Sequence, residues 1–346
     1  MDTRIVFATS HDGVRVAAAV EGSGFPLLWP GLPVNSRAVS GPFFEHGHLW
    51  FERLTKRHQL IALDLRGTGL ADRHCQTHTF ADYVTDMSAM LDELHVGTVD
   101  ILAMGVRFPI AIRFAALHPV RVRRLLLAGV TVGPTAASGS AQALAGSVAR
   151  EFVARDFRGY LETLAARTTS SEVSASAYAD RLEQCTDQVS MLAELEALER
   201  EDIRDDLRRL RCPCLVVELR DNTMIAPGHS AAFQALVPQA EIVLVPNRTK
   251  VSWLHDFADA IEHFEDRLDA AENTPGNELR LSPREVDVLR LVVSGFTNAS
   301  IAEALTISRS TVDRHVANIY AKAGVHNRAE VVRWAIAHGI VDPGTT

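Results

Sequence analysis

Short, mainly apolar runs recur along this chain, and they leave few architectures open. Leu60-Ile61-Ala62-Leu63-Asp64, Val99-Asp100-Ile101-Leu102, Arg124-Leu125-Leu126-Leu127-Ala128 and Cys214-Leu215-Val216-Val217 each read as a strand buried on both faces. Between them, Ala81 to Leu94 and Pro109 to Leu117 repeat apolar residues at helical spacing. That alternation predicts an α/β fold, a mainly parallel sheet covered by helices on both faces. From about Thr135 to Asp206 no strand-like run occurs, and Ala, Leu and charged residues dominate. A helical lid inserted into the sheet domain is expected there.

A length of 346 residues allows about two domains. The formal charge of −8 argues against indiscriminate nucleic-acid binding by the whole surface. The charge is unevenly distributed, however. From Leu279 onward eight basic residues face six acidic ones, so this segment carries +2 while the remainder carries −10. The change falls where Asn273-Thr274-Pro275-Gly276-Asn277 interrupts the pattern with turn-forming residues. We therefore expect a sheet domain over 1–268 with its lid at about 135–206, a linker over 269–278, and a second domain over 279–343.

No apolar run approaches the roughly 18 residues of a membrane span, and Met1-Asp2-Thr3-Arg4 does not open a signal peptide. The expectation is a cytoplasmic protein with no membrane partner. Four cysteines are too few for a disulfide scaffold; Cys212 and Cys214 flank Pro213 at the start of a buried strand, and Cys75 and Cys185 stand alone. Neither a metal site nor a cofactor is expected.

The second domain is the more explicit. Ser282-Pro283-Arg284-Glu285 is a capping box with proline at the first helical position, followed by Val286, Leu289, Val292 and Val293 on one face until Ser294-Gly295. A second helix is expected over about 298–305 with Ile301, Ala302 and Leu305 inward, and Thr306-Ile307-Ser308 makes a tight connection. The third helix should run from near Ser310 to Gly324, burying Val312, Val316, Ile319 and Ala323, and a fourth from about Arg328 to His338. A short helix, a tight turn and a helix with a polar start form a helix-turn-helix, whose second helix fits the major groove of duplex DNA.

Leu281-Ser282-Pro283-Arg284-Glu285, Ser300-Ile301-Ala302-Glu303, Ser310-Thr311-Val312 with His315, Gly324-Val325 and Asn327-Arg328-Ala329-Glu330 together resemble the LuxR-type DNA-binding domain. The resemblance implies double-stranded DNA and the transcription machinery as partners, and a last helix that supports a homodimer. Early residues of the recognition helix enter the groove in that family, which nominates Asp313, Arg314 and Ala317 as base-facing. Thr311, His315, Asn318, Lys322 and Arg328 complete the expected DNA-binding set. Asp313 departs from the family pattern, where a basic residue commonly follows Thr-Val; an acidic group repels phosphate but can accept from a cytosine amino group. At +2 one copy neutralises few phosphates, so binding as a dimer to paired half-sites is expected.

Asp64-Leu65-Arg66-Gly67-Thr68-Gly69, the stretch from Pro109 to Pro119, and Arg121-Val122 resemble the α/β-hydrolase fold, most closely the hydrolase-like domains that precede LuxR-type segments in some bacterial regulators. Enzymes of that family use a serine at a strand-to-helix elbow, a histidine and an acid. Here Ala103-Met104-Gly105-Val106-Arg107 occupies the elbow, so Gly105 stands where the nucleophile would. The acid position falls on Asn222, or on Asp221 with a one-residue shift, and the histidine position on Lys250. Glycine offers no nucleophile, and the loop Trp29-Pro30-Gly31-Leu32 lacks the His-Gly pair many members carry. The expectation is a regulator without hydrolase activity, not an active hydrolase fused to a DNA-binding domain.

His46, His48, His74 and His78 read as surface or loop histidines, and Asp64 and Arg66 as braces of a turn. Asp205-Asp206 reads as a solvated helix face. A fold that has lost its chemistry can keep its pocket, so a small apolar or anionic ligand is expected near Leu32, Met104, Gly105, Val130 and Lys250, the last able to pair with an anionic group. The alternative is a pocket filled by Trp29, Phe108 and Trp253, leaving a dimerisation scaffold.

Overall fold

The computed structural model describes residues 3–33, 36–39, 47–132, 141–168, 174–220, 229–246, 253–272, 281–323 and 325–337. Two compact units divide the chain, residues 1–262 and 263–346. The first unit opens with strands β1 (Arg4–Thr9), β2 (Arg15–Gly22) and β3 (Phe25–Trp29). Then follow helix α1 (Gly47–Thr55), β4 (His58–Asp64), α2 (Phe80–Glu93), β5 (Val99–Met104), α3 (Phe108–Leu117) and β6 (Val122–Ala128). Helices α4 (Ala141–Arg155), α5 (Phe157–Thr168), α6 (Ala175–Cys185), α7 (Gln188–Arg200) and α8 (Arg204–Arg209) separate β6 from β7 (Cys214–Arg220). Helix α9 (His229–Leu236) and β8 (Ala240–Pro246) follow, and α10 (Trp253–Glu272) runs through the division at residue 262.

The strands form one eight-stranded sheet in the order β1-β2-β4-β3-β5-β6-β7-β8. Pairing is antiparallel between β1, β2 and β4 and parallel from β4 onward. All six residues of β5 are buried, because helices cover a central parallel strand on both faces. Helix α2 starts at a capping box in which Thr79 and Asp82 satisfy each other's backbone N–H groups. Strands β4 to β7 were legible from the sequence; the β1–β2 pair was not, because residues such as Ala17, Ala18 and Ala19 carry a weak strand signal and are buried by their neighbours.

Two local expectations need correction. Asp206 is not on a solvated face: it is buried, and Arg113 reaches its carboxylate at 2.5 Å, while Asp205 is exposed and pairs with Arg208. The stretch expected to begin a linker at 269 is helical through Glu272, since Asp269-Ala270-Ala271-Glu272 holds no helix breaker and Pro275 lies beyond it. Among the described residues no helix is long and apolar enough to cross a membrane.

In the second unit α11 (Pro283–Val293), α12 (Asn298–Ala304), α13 (Arg309–Ala323) and α14 (Arg328–Ala337) pack around Val288, Leu289, Val292, Ile301, Val312, Val316, Ile319, Val331 and Ala335. The capping box of Ser282 and Glu285 forms as read. Helix α11 buries Val288 fully where Val286 was expected, and Val286 is half-buried. The turn after α12 is closed by Thr306 N–H donating to Glu303 and Ile307 N–H to Ala302, with Thr306 at φ 52°.

Candidate functional site

The crevice at the carboxyl ends of parallel strands is where open α/β sheets place ligands. There β5 ends at Met104, the chain turns through Gly105 at φ +57°, and one 3-10 turn, Gly105–Arg107, leads into α3. Glycine adopts that conformation without the roughly 1–2 kcal/mol that a side chain adds. Among the described residues, a Cβ placed on Gly105 would meet only Leu32 Cδ2, at 3.7 Å. Next to it Val106 is 45% exposed. Met104 and Val130 are buried beside one another's strand ends, and Leu32 is half-buried. Asp221, Asn222 and Lys250 lie outside the described residues, as do the side chains of His46 and His48.

The aromatic residues weighed as pocket fillers pack elsewhere as well. Trp29 lies 5.0 Å from Phe51 and 6.5 Å from Trp50 between ring centroids, Trp253 stacks on Phe257, and Phe108 belongs to the core between sheet and helices. His78 is half-buried, its Nδ1 3.0 Å from the Tyr83 hydroxyl, and burial holds its pKa below the usual imidazole range. His74 is exposed.

Arg107 was missed by sequence reasoning. It ends the 3-10 turn that begins at Gly105, and it is fully buried. Its Nε and Nη2 donate to both carboxylate oxygens of Glu194 on lid helix α7, at 2.7 and 2.8 Å. Nη1 donates to the Pro30 carbonyl at 2.7 Å, and Nη2 also to the Thr68 hydroxyl at 2.6 Å. One guanidinium therefore ties together the lid, the loop opposite the elbow and the turn after β4. The available signal was a charge in the otherwise apolar stretch from Ala103 to Ile112. That turn is braced further by Arg66, which grips Asp86 and Asp12, and by Asp64, which accepts from Ser36 and from the Leu70 N–H. Burial pushes the Asp64 carboxyl up to about 6 against those two hydrogen bonds.

In the second unit the exposed face of α13 carries Asp313, Arg314, Ala317, Asn318 and Lys322. Thr311 and His315 are half-buried. Ser308 caps α13, taking the Thr311 N–H at 3.1 Å and lying 2.7 Å from its hydroxyl. Burial first, then Arg284, lowers the His315 pKa, which favours a neutral ring at pH 7. Two of the expected DNA contacts are engaged within the bundle: Lys322 donates to Glu285 at 2.7 Å, and Arg328 donates to the carbonyls of Val292 and Phe296. Asp313 accepts from Asn298 Nδ2 at 2.7 Å. Arg314 projects from the same face with no ion-pair partner among the described residues.

Residues 279–335 match the family described as bacterial regulatory proteins, luxR family. They are similar to Fimbriae Z protein of Salmonella typhimurium, 40% identical over 65 residues, which are 19% of this chain and 31% of that one. They are also similar to the transcriptional regulatory protein MctR of Rhizobium johnstonii, 44% identical over 61 residues, 18% of this chain and 28% of that protein. The chain thus spans less than a third of the length of these curated relatives. The esterase from Exiguobacterium antarcticum superposes with a TM-score of 0.64 at 17% identity, covering 75% of this chain and 98% of that one. The chain accordingly joins an N-terminal α/β-hydrolase fold to a C-terminal domain of the LuxR family.

Proposed function

We propose that this protein is a sequence-specific, DNA-binding transcriptional regulator whose hydrolase-like unit carries out no hydrolysis and instead receives a small ligand. The observation that carries the DNA-binding half is the exposed guanidinium of Arg314, without an ion-pair partner among the described residues, on the solvent face of a helix-turn-helix. Arg314, Ala317 and Asn318 face the groove, Thr311 and the helix start sit against the backbone, and Lys322 and Arg328 chiefly brace the bundle. Two copies bind two half-sites, because one domain at +2 neutralises too few phosphates. Arg314→Ala should weaken specific binding by about 1–3 kcal/mol, as expected when a guanine contact is lost. A footprint and affinity identical to wild type would remove Arg314 from the base-reading set.

Support for the non-catalytic half is Gly105: the elbow keeps its backbone shape and has no atom that can attack a carbonyl. The purified chain should turn over no short-chain aryl ester above the buffer rate, and Gly105→Ala should change nothing. Turnover abolished by substitutions at Leu32 or Met104 would restore the enzyme reading. The ligand site lies beside Gly105 and Leu32, with Met104 and Val130 as apolar walls; Lys250 belongs to the proposal as a partner for an anionic group. Mass spectrometry of protein released from its native host under denaturing conditions tests this reading. A stoichiometric small molecule supports it, and an empty, dimeric protein favours the scaffold that burial of Trp29 and Phe108 would allow.

A further inference from the structure

Asp313 is the anomaly of the recognition helix. A carboxylate on a surface that approaches phosphates weakens association unless it makes a compensating contact. Asn298, at the first turn of α12, donates from Nδ2 to Asp313 Oδ1 at 2.7 Å, and Arg328 Nη1 on α14 lies 3.5 Å from Asn298 Oδ1. A guanidinium only donates and a carboxylate only accepts, so the Asn298 amide has one orientation available: oxygen toward Arg328, nitrogen toward Asp313. Arg328 is itself anchored on the carbonyls of Val292 and Phe296. The carboxylate is thus held from behind through a relay of three side chains, on an exposed part of the helix. No described residue donates to its second oxygen, Oδ2.

An oriented acceptor in the major groove seeks a donor. Only two base edges offer one there: cytosine through N4 and adenine through N6. Adenine sets the N7 acceptor beside its amino group, which a carboxylate meets unfavourably, whereas cytosine presents N4 without that neighbour. We propose that Asp313, positioned by Asn298, is a specificity-determining residue that accepts a hydrogen bond from a cytosine amino group in each half-site. This inference rests on the DNA-binding reading above and names the base that reading leaves open.

The test is selection of duplexes from a randomised pool by the full-length chain, for wild type, Asp313→Asn and Asn298→Ala, with sequencing of the bound fraction. Wild type should show one position per half-site at which cytosine is preferred about tenfold or more. In Asp313→Asn the side-chain oxygen keeps the Asn298 hydrogen bond and the outward group becomes a donor. Cytosine should then lose its preference at that position, in favour of a base presenting an acceptor, guanine, thymine or, through N7, adenine, while the other positions stay as they were. Asn298→Ala should flatten the same position alone, with binding to non-specific DNA unchanged. If Asp313→Asn instead raises affinity equally for every sequence, or alters thermal stability with the selected motif intact, Asp313 is only a charge or a strut and the inference falls. If wild type selects no motif, the DNA-binding reading fails and takes this one with it.

Discussion

Glu194→Ala should destabilise the hydrolase-like unit by roughly 3–5 kcal/mol, the cost of leaving a buried charge without its partner. Arg107 has no exposed surface and spends three of its four hydrogen bonds on Glu194 and Pro30. Without Glu194 the guanidinium must either stay charged in an apolar surrounding or pull solvent in beneath the lid. Arg107→Met/Glu194→Met should recover at least half of the loss, because a well-packed apolar pair replaces a buried ion pair at little cost. The remainder reflects Pro30 and Thr68, each deprived of a hydrogen-bond donor. Urea unfolding followed by tryptophan fluorescence reports on this unit, where Trp29 and Trp50 are buried. A single substitution costing under about 1 kcal/mol would show that Arg107 is hydrated on its own and that the lid is held by other contacts.

Gly24→Ala is expected to be as damaging for a different reason. Gly24 adopts φ +119° between β2 and β3, and a Cβ there would lie 2.2 Å from the Arg57 carbonyl oxygen and 3.0 Å from its carbon. Those are backbone atoms, packed just ahead of β4, and they cannot swing aside as the end of a side chain could. Backbone strain and overpacking together amount to roughly 2–5 kcal/mol. Gly13→Ala is the control, since Gly13 also has positive φ, +86°, but nothing lies within 4 Å of its added Cβ. It should show the strain alone, roughly 1–2 kcal/mol. Equal losses for the two variants in the same unfolding assay would mean that the β2–β3 connection relaxes and the close approach is not limiting.

What could be read directly from the chain was local. The capping box of Ser282 and Glu285, the buried stripe Val312, Val316 and Ile319, and the mainly apolar β5 are each set by residues within a turn or two of one another. So was the glycine at the elbow, because the strand before it and the helix after it were both legible. Tertiary structure alone decided which charges are structural. Arg107 meets Glu194 across 87 residues of sequence, and Arg113 meets the buried Asp206 across 93. Lys322 and Arg328 look from the sequence like cations for phosphate, and in the fold they donate to Glu285 and to backbone carbonyls. A charged side chain has no periodicity that announces its partner. Which opposite charge or carbonyl it meets depends on which helices come together, and that is settled by the apolar faces, not by the charges themselves.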